Sequence, residues 1–84
     1  SKLLQKRLTE LRATSVLDDI RKLPQARCHE LRGDRKGELA IDLDHPYRLI
    51  FKVANDPKPT KDDGGLDWLK TTTIRITGIE DYHE

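Results

Sequence analysis

Cysteine is nearly absent from this chain of 84 residues. The single Cys28 leaves no partner for an internal disulfide and excludes a cysteine-based zinc site. Its thiol reads as a packing group in a reducing compartment, since nothing nearby in the sequence marks a stabilised thiolate. Long apolar runs are missing too. No stretch approaches the ~20 residues that span a bilayer, and no charged segment leads into a signal-peptide core, so a cytoplasmic chain without a membrane partner is expected. A charge excess of one sign is also lacking: 16 Lys and Arg against 15 Asp and Glu leave +1, so any case for nucleic acid rests on a local patch. Methionine does not occur at all. With Ser1 leading straight into a helical pattern, a chain trimmed or cleaved at its start is expected.

What is present is charge, 37% of residues, over a hydrophobic fraction of 35%. That balance predicts one small domain, residues 1–84, with a thin core under a large polar surface. Leu4, Leu8 and Leu11 recur at helical spacing with Leu3 beside them, while Lys2, Lys6, Arg7, Glu10 and Arg12 take the other faces. Ser15 before Val16-Leu17-Asp18 looks like the cap of a second, short helix running through Ile20 to about Lys22 and stopped by Pro24. From Arg27 the period becomes two. Leu39, Ile41 and Leu43 alternate with Ala40 and Asp42, and Tyr47, Leu49, Phe51 and Val53 with Arg48, Ile50 and Lys52. Gly33-Asp34-Arg35-Lys36-Gly37 and Asp44-His45-Pro46 read as the turns of a three-stranded meander. Residues 54–70 form a long, turn-rich loop, with Trp68 and Leu69 expected to fold back on the sheet edge or to face a partner. A last strand from about Thr71 to Tyr82 follows, with Gly78 expected to form a bulge that re-aims the residues after it. The expected fold is α+β: two N-terminal helices packed on one face of a roughly four-stranded antiparallel sheet.

Two clusters could do chemistry. The chain closes on Asp81-Tyr82-His83, three groups that exchange or hold protons, fastened to the last strand. On its own, such a tail also looks like an expendable polar end. The segment from Arg27 to Gly37 collects four cations (Arg27, Arg32, Arg35 and Lys36), His29 and two glycines within eleven residues; a solvated hairpin has the same composition. Arg27 and His29 share one strand face, Glu30 and Arg32 the other. If the polar faces of the strands coincide, Arg48, Arg75 and either His29 or Arg32 stand on one open surface. Arginine suits a phosphodiester because its planar fork donates two hydrogen bonds at once. His45, in a turn before Pro46, reads as solvated.

These residues resemble a known family. Cys28-His29-Glu30-Leu31-Arg32-Gly33-Asp34-Arg35-Lys36-Gly37, then Tyr47-Arg48-Leu49-Ile50-Phe51, then Asp81-Tyr82-His83 are similar, in that order, to the killer toxins of the RelE/ParE superfamily, and within it to the HigB branch of plasmid maintenance killer proteins. The resemblance covers about residues 27–53 and 74–83. It implies a RelE-like fold and a metal-independent, cofactor-free endoribonuclease that cuts mRNA on the ribosome, silenced by a cognate HigA-like antitoxin, as a dimer or a toxin–antitoxin heterotetramer. In that family the ribose 2′-OH attacks the adjacent phosphate and leaves a 2′,3′-cyclic phosphate. By position, His29, Arg48, Asp81, Tyr82 and His83 would be the catalytic set. Arg27, Arg32, Arg35, Lys36 and Arg75 would hold RNA phosphates. Such a transesterification needs a base, an acid and cations for the phosphorane, and histidine, ordinarily titrating near ~6.5, serves on either side. Which histidine is base and which is acid stays open. Tyr82 could stack on a base or bond the phosphate, and Asp81 could orient a neighbour.

Three features depart from the family. Its first strand and helix would precede the helix that begins here, the 54–70 loop is longer, and Arg32 stands for the usual Lys. Two other functions remain in view: a non-catalytic relative that poisons gyrase or serves antitoxin binding and operator regulation, and a general RNA-binding domain.

Overall fold

The computed structural model describes residues 1–81. Ser1 caps the first element, its Oγ accepting from the Leu4 N–H at 3.1 Å, and α1 runs over Lys2–Ala13. The leucine stripe does face inward: Leu4, Leu8 and Leu11 pack on the core. Arg7, expected on a polar face, is instead 4% exposed. Its Nη1 donates to Glu10 Oε1 at 2.8 Å, its Nε to the Asp42 carbonyl at 3.1 Å, and its Nη2 to the Gln25 carbonyl at 3.2 Å. A buried guanidinium survives only when its donors are answered in this way.

The second helical segment forms, but as 3-10 turns. One covers Leu17–Lys22 and another Pro24–Ala26. Val16, not Ser15, occupies the cap position and makes no side-chain bond there; the Leu17 N–H is taken by the Thr71 carbonyl at 2.8 Å. Pro24 starts the second turn rather than ending helical structure, as its missing N–H permits. Arg27 then adopts φ 48°. A left-handed residue cannot continue a strand, so β1 is only His29–Glu30 and excludes Arg27.

The sheet is an antiparallel meander of β1, β2 (Glu38–Asp42), β3 (Tyr47–Val53) and β4 (Ile74–Asp81), in chain order. A 3-10 turn, Gly33–Arg35, lies inside the β1–β2 connector, and Gly33 and Gly37 at φ 68° and 99° supply backbone conformations that side chains disfavour. Leu39 and Ile41 of β2 and Leu49 and Phe51 of β3 meet Leu17 and Ile20 on the helix-bearing face. The 54–70 loop returns to that core with Leu66 and Trp68, while Leu69 is exposed. Asn55 steadies the loop's exit by accepting from the Thr72 and Thr73 N–H groups.

β4 begins at Ile74, later than expected, and carries the anticipated bulge one residue earlier than Gly78. Ile76 pairs with Phe51 and Gly78 with Ile50, leaving Thr77 as the extra residue. The bulge inverts the alternation for all that follows. Among the described residues no helix is long and apolar enough to cross a membrane.

Because Arg7 ties α1 to two other segments, Arg7→Ala is expected to cost about 3 kcal/mol and to lower Tm by more than ~10 °C, as read by circular dichroism. A Tm within ~2 °C of the parent would show the network to be dispensable.

Candidate active site

Cross-strand partners point to the same face of a sheet. One row on the face away from α1 therefore runs His29, Ala40, Ile50, Gly78, and the next runs Asp42, Arg48, Glu80. Ala40 and Ile50 are buried although they belong to this open face. Ile50 is the apolar floor of a depression of about 430 Å³ whose walls include His29, Arg32, Arg35, Arg48 and Glu80. The sheet thus brings together His29, from the edge strand, and Arg48, from an inner strand; Arg32 and Arg35 arrive from the connector above them.

The imidazole is oriented. His29 Nδ1 lies 2.7 Å from the Arg27 carbonyl oxygen. A carbonyl can only accept, so Nδ1 carries the hydrogen, and in the neutral ring Nε2 keeps its lone pair. The left-handed turn at Arg27 puts that carbonyl in reach, which ties the conformation two residues upstream to the proton inventory of the site. Arg48 leans on Asp42, Nε to Oδ1 3.9 Å, and the same carboxylate draws Arg27 at 3.5 Å.

Arg35 reaches across the sheet from the connector. It donates to both oxygens of Glu38, at 2.9 and 2.8 Å, and to both oxygens of Glu80 on the far strand, Nη2 to Oε2 at 2.6 Å. This bidentate pairing at both ends holds the Glu38 and Glu80 carboxyls below their ordinary 4.5 and pushes the guanidinium further up. Sequence reasoning missed three carboxylates of these walls, Glu30, Asp34 and, on the far strand, Glu80. The only signal for Glu80 was Gly78: a bulge before it turns Glu80, and not Asp81, onto the face of Arg48.

The expected site residues separate accordingly. His29, Arg32, Arg35 and Arg48 line one depression. Asp81 pairs with Tyr47, so the shifted register assigns it to the helix-bearing face, opposite Arg48. Arg75 pairs with Lys52 near the other end of β4. Lys36 lines an adjacent groove with His29 and Arg32, and Arg27 a smaller hollow with Asp42 and Arg48. Tyr82 and His83 lie outside the described residues. Burial pushes the Cys28 thiol up to about 12, so at neutral pH it is protonated and serves packing. Searches of the chain against protein-family models, curated proteins and solved structures find no match.

The arrangement is a hollow walled by three guanidiniums, with the Glu30, Asp34 and Glu80 carboxylates among them, and one oriented base. It suits an anion whose attacking group loses a proton to His29 Nε2 while guanidiniums hold the charge.

A carboxylate with a lower pKa folded than unfolded adds stability that is complete above the unfolded value and is lost as pH falls through the folded one. For Glu38 and Glu80 the loss therefore sets in below 4.5. Urea denaturation from pH 7 down to 3 is expected to show a plateau and then a decline, with a shallower decline in Arg35→Gln. Equal slopes in the two proteins would remove the cluster from the account.

Proposed function

We propose that this chain is a RelE/ParE-like toxin of the HigB type: a metal-independent endoribonuclease that cuts mRNA on the ribosome, in the cytoplasm, under control of a HigA-like antitoxin. The observation that carries the proposal is His29, with its tautomer set by the Arg27 carbonyl, in one depression with Arg32 and Arg48. The order of the sequence motifs supports the family assignment, and the α+β meander is compatible with it.

In this reading the RNA phosphate sits between Arg32 and Arg48. His29 Nε2 takes the proton of the 2′-OH, O2′ attacks phosphorus, and the guanidiniums offset the charge that builds on the phosphorane. The 5′-oxygen leaves with a proton from an acid, the part that falls to His83 once His29 is taken as the base. Glu80 adds a part that the motif comparison does not contain. By occupying Arg35, it keeps that guanidinium rigid at the rim, so Arg35 orders the site without sitting beneath the phosphate.

One observation favours a second reading, a non-catalytic relative that acts by binding. Arg35 is saturated by two carboxylates and Arg48 leans on Asp42. A phosphate must compete with Asp42 for Arg48, and Arg35 has little to offer it.

His29→Ala and Arg48→Ala are each expected to abolish growth arrest, with cleavage lowered by roughly 100- to 10,000-fold and the fold intact by circular dichroism. Primer extension on RNA from induced cells is the direct measurement: cut transcripts with the wild type and full-length transcripts with both variants. Full-length mRNA under a wild-type toxin that still arrests growth would exclude the nuclease and leave the binding reading.

A further inference from the structure

Beside the depression, sharing its His29, Glu30, Leu31 and Arg32 walls, lies a second groove of about 540 Å³ that also involves Arg21, Lys36 and Trp68. Its base is a built stack. The Arg21 guanidinium lies 3.7 Å over the Trp68 ring, and Trp68 is 6% exposed, its indole N–H donating to Glu30 Oε2 at 3.3 Å. The ring comes from the long loop and the cation from the first 3-10 turn, so two segments distant in sequence meet to place this one plane.

Arg21 keeps about half of its side chain in solvent, its carboxylate contact being Asp18 at 3.5 Å. A guanidinium pinned on an aromatic ring by one face offers the other face to a second planar group. Arg32 and Lys36 add charge. Neither has an ion-pair partner among the described residues, unlike Arg7, Arg27, Arg35 and Arg48. The groove's one carboxylate, Glu30, is held by the Trp68 indole N–H, and Cys28 in the same lining is a protonated thiol that adds no negative charge. A flat cationic platform with two free cations along it matches unpaired nucleotides, whose bases stack on such planes while their phosphates follow the charge.

We propose that this groove is a second nucleotide subsite. The base next to the cleavage position stacks on the outer face of Arg21, and Arg32 and Lys36 take the phosphate that joins the two nucleotides. The inference rests on the reading of the His29–Arg48 depression as a phosphodiester site, and it makes the substrate single-stranded RNA held over at least two residues. The 54–70 loop then has a task in the site: it supplies the ring that holds Arg21 flat.

The test compares an adenosine trinucleotide, made uncleavable by 2′-deoxyribose, with adenosine 3′-phosphate, their affinities read by competition against a labelled trinucleotide. Trp68 is the only tryptophan, so its emission reports on the groove. The trinucleotide is expected to bind more tightly than the mononucleotide and to change Trp68 emission. Arg21→Ala, checked for folding by circular dichroism, is expected to shrink that advantage by roughly 5- to 150-fold. Arg21→Lys, which keeps the charge and loses the plane, should not restore it. An unaltered advantage in Arg21→Ala, full rescue by lysine, or trinucleotide binding with silent Trp68 emission overturns the subsite. These readouts need no cleavage, so a lost subsite with intact ribosomal cleavage sinks this inference alone. A dependence on Arg21 in a wild type that cuts no RNA sinks the nuclease reading alone.

Discussion

The Arg7 guanidinium is the contact on which the other parts depend. A thin core cannot fix the helix by apolar burial alone, and α1 contributes leucines that are only partly covered. Arg7 makes up the difference with three directed bonds, to its own helix at Glu10, to the last residue of β2 at Asp42 and to the 3-10 segment at Gln25. Burying such a charge is unfavourable in itself, and the bonds matter because removing any partner leaves that cost uncompensated. The effect reaches the open face. The Asp42 backbone is held from one side of the sheet by Arg7, while its carboxylate attracts Arg27 and Arg48. Helix position and the placement of the site arginines are thereby coupled through one residue.

The open face is governed by a second constraint, charge balance over an apolar floor. Ala40 and Ile50 are buried on this face, and Arg35, reaching from Glu38 to Glu80, lines one hollow with Ile50. The ion cluster also divides the cations into two kinds. Arg7 and Arg35 are committed to structure by several bonds each, whereas Arg32 and Lys36 remain uncommitted among the described residues. A ligand anion meets the second kind at lower cost, because no ion pair has to be broken. The adjacent depression and groove therefore share Arg32 as their natural point of contact with a phosphate.

Much of the architecture was legible from period alone. The two-residue alternation in 39–43 and 47–53 identified the buried faces of β2 and β3, and the Gly-Asp-Arg-Lys-Gly connector announced its turn through glycines that do take positive φ. Of the candidate site residues, His29, Arg32, Arg35 and Arg48 line one depression. Arg7 was misplaced because helical periodicity separates apolar from charged residues and carries no information about a charge that finds three acceptors inside. The second helix formed as 3-10 turns whose first N–H, at Leu17, is satisfied by Thr71, a partner 54 positions away in the chain.

The sequence by itself thus determined the α+β class, the leucine stripe, the strand faces before the bulge and the local basic patch, since each depends on neighbours within a few residues. The tertiary structure alone decided which carboxylate of the last strand shares the face of Arg48. One extra residue at Thr77 reverses the alternation, turning Glu80 inward to Arg35 and assigning Asp81 to the other face. It also decided that Trp68 and Arg21, 47 positions apart, form one plane. Register and long-range stacking depend on how separate segments dock, and no local periodicity encodes that.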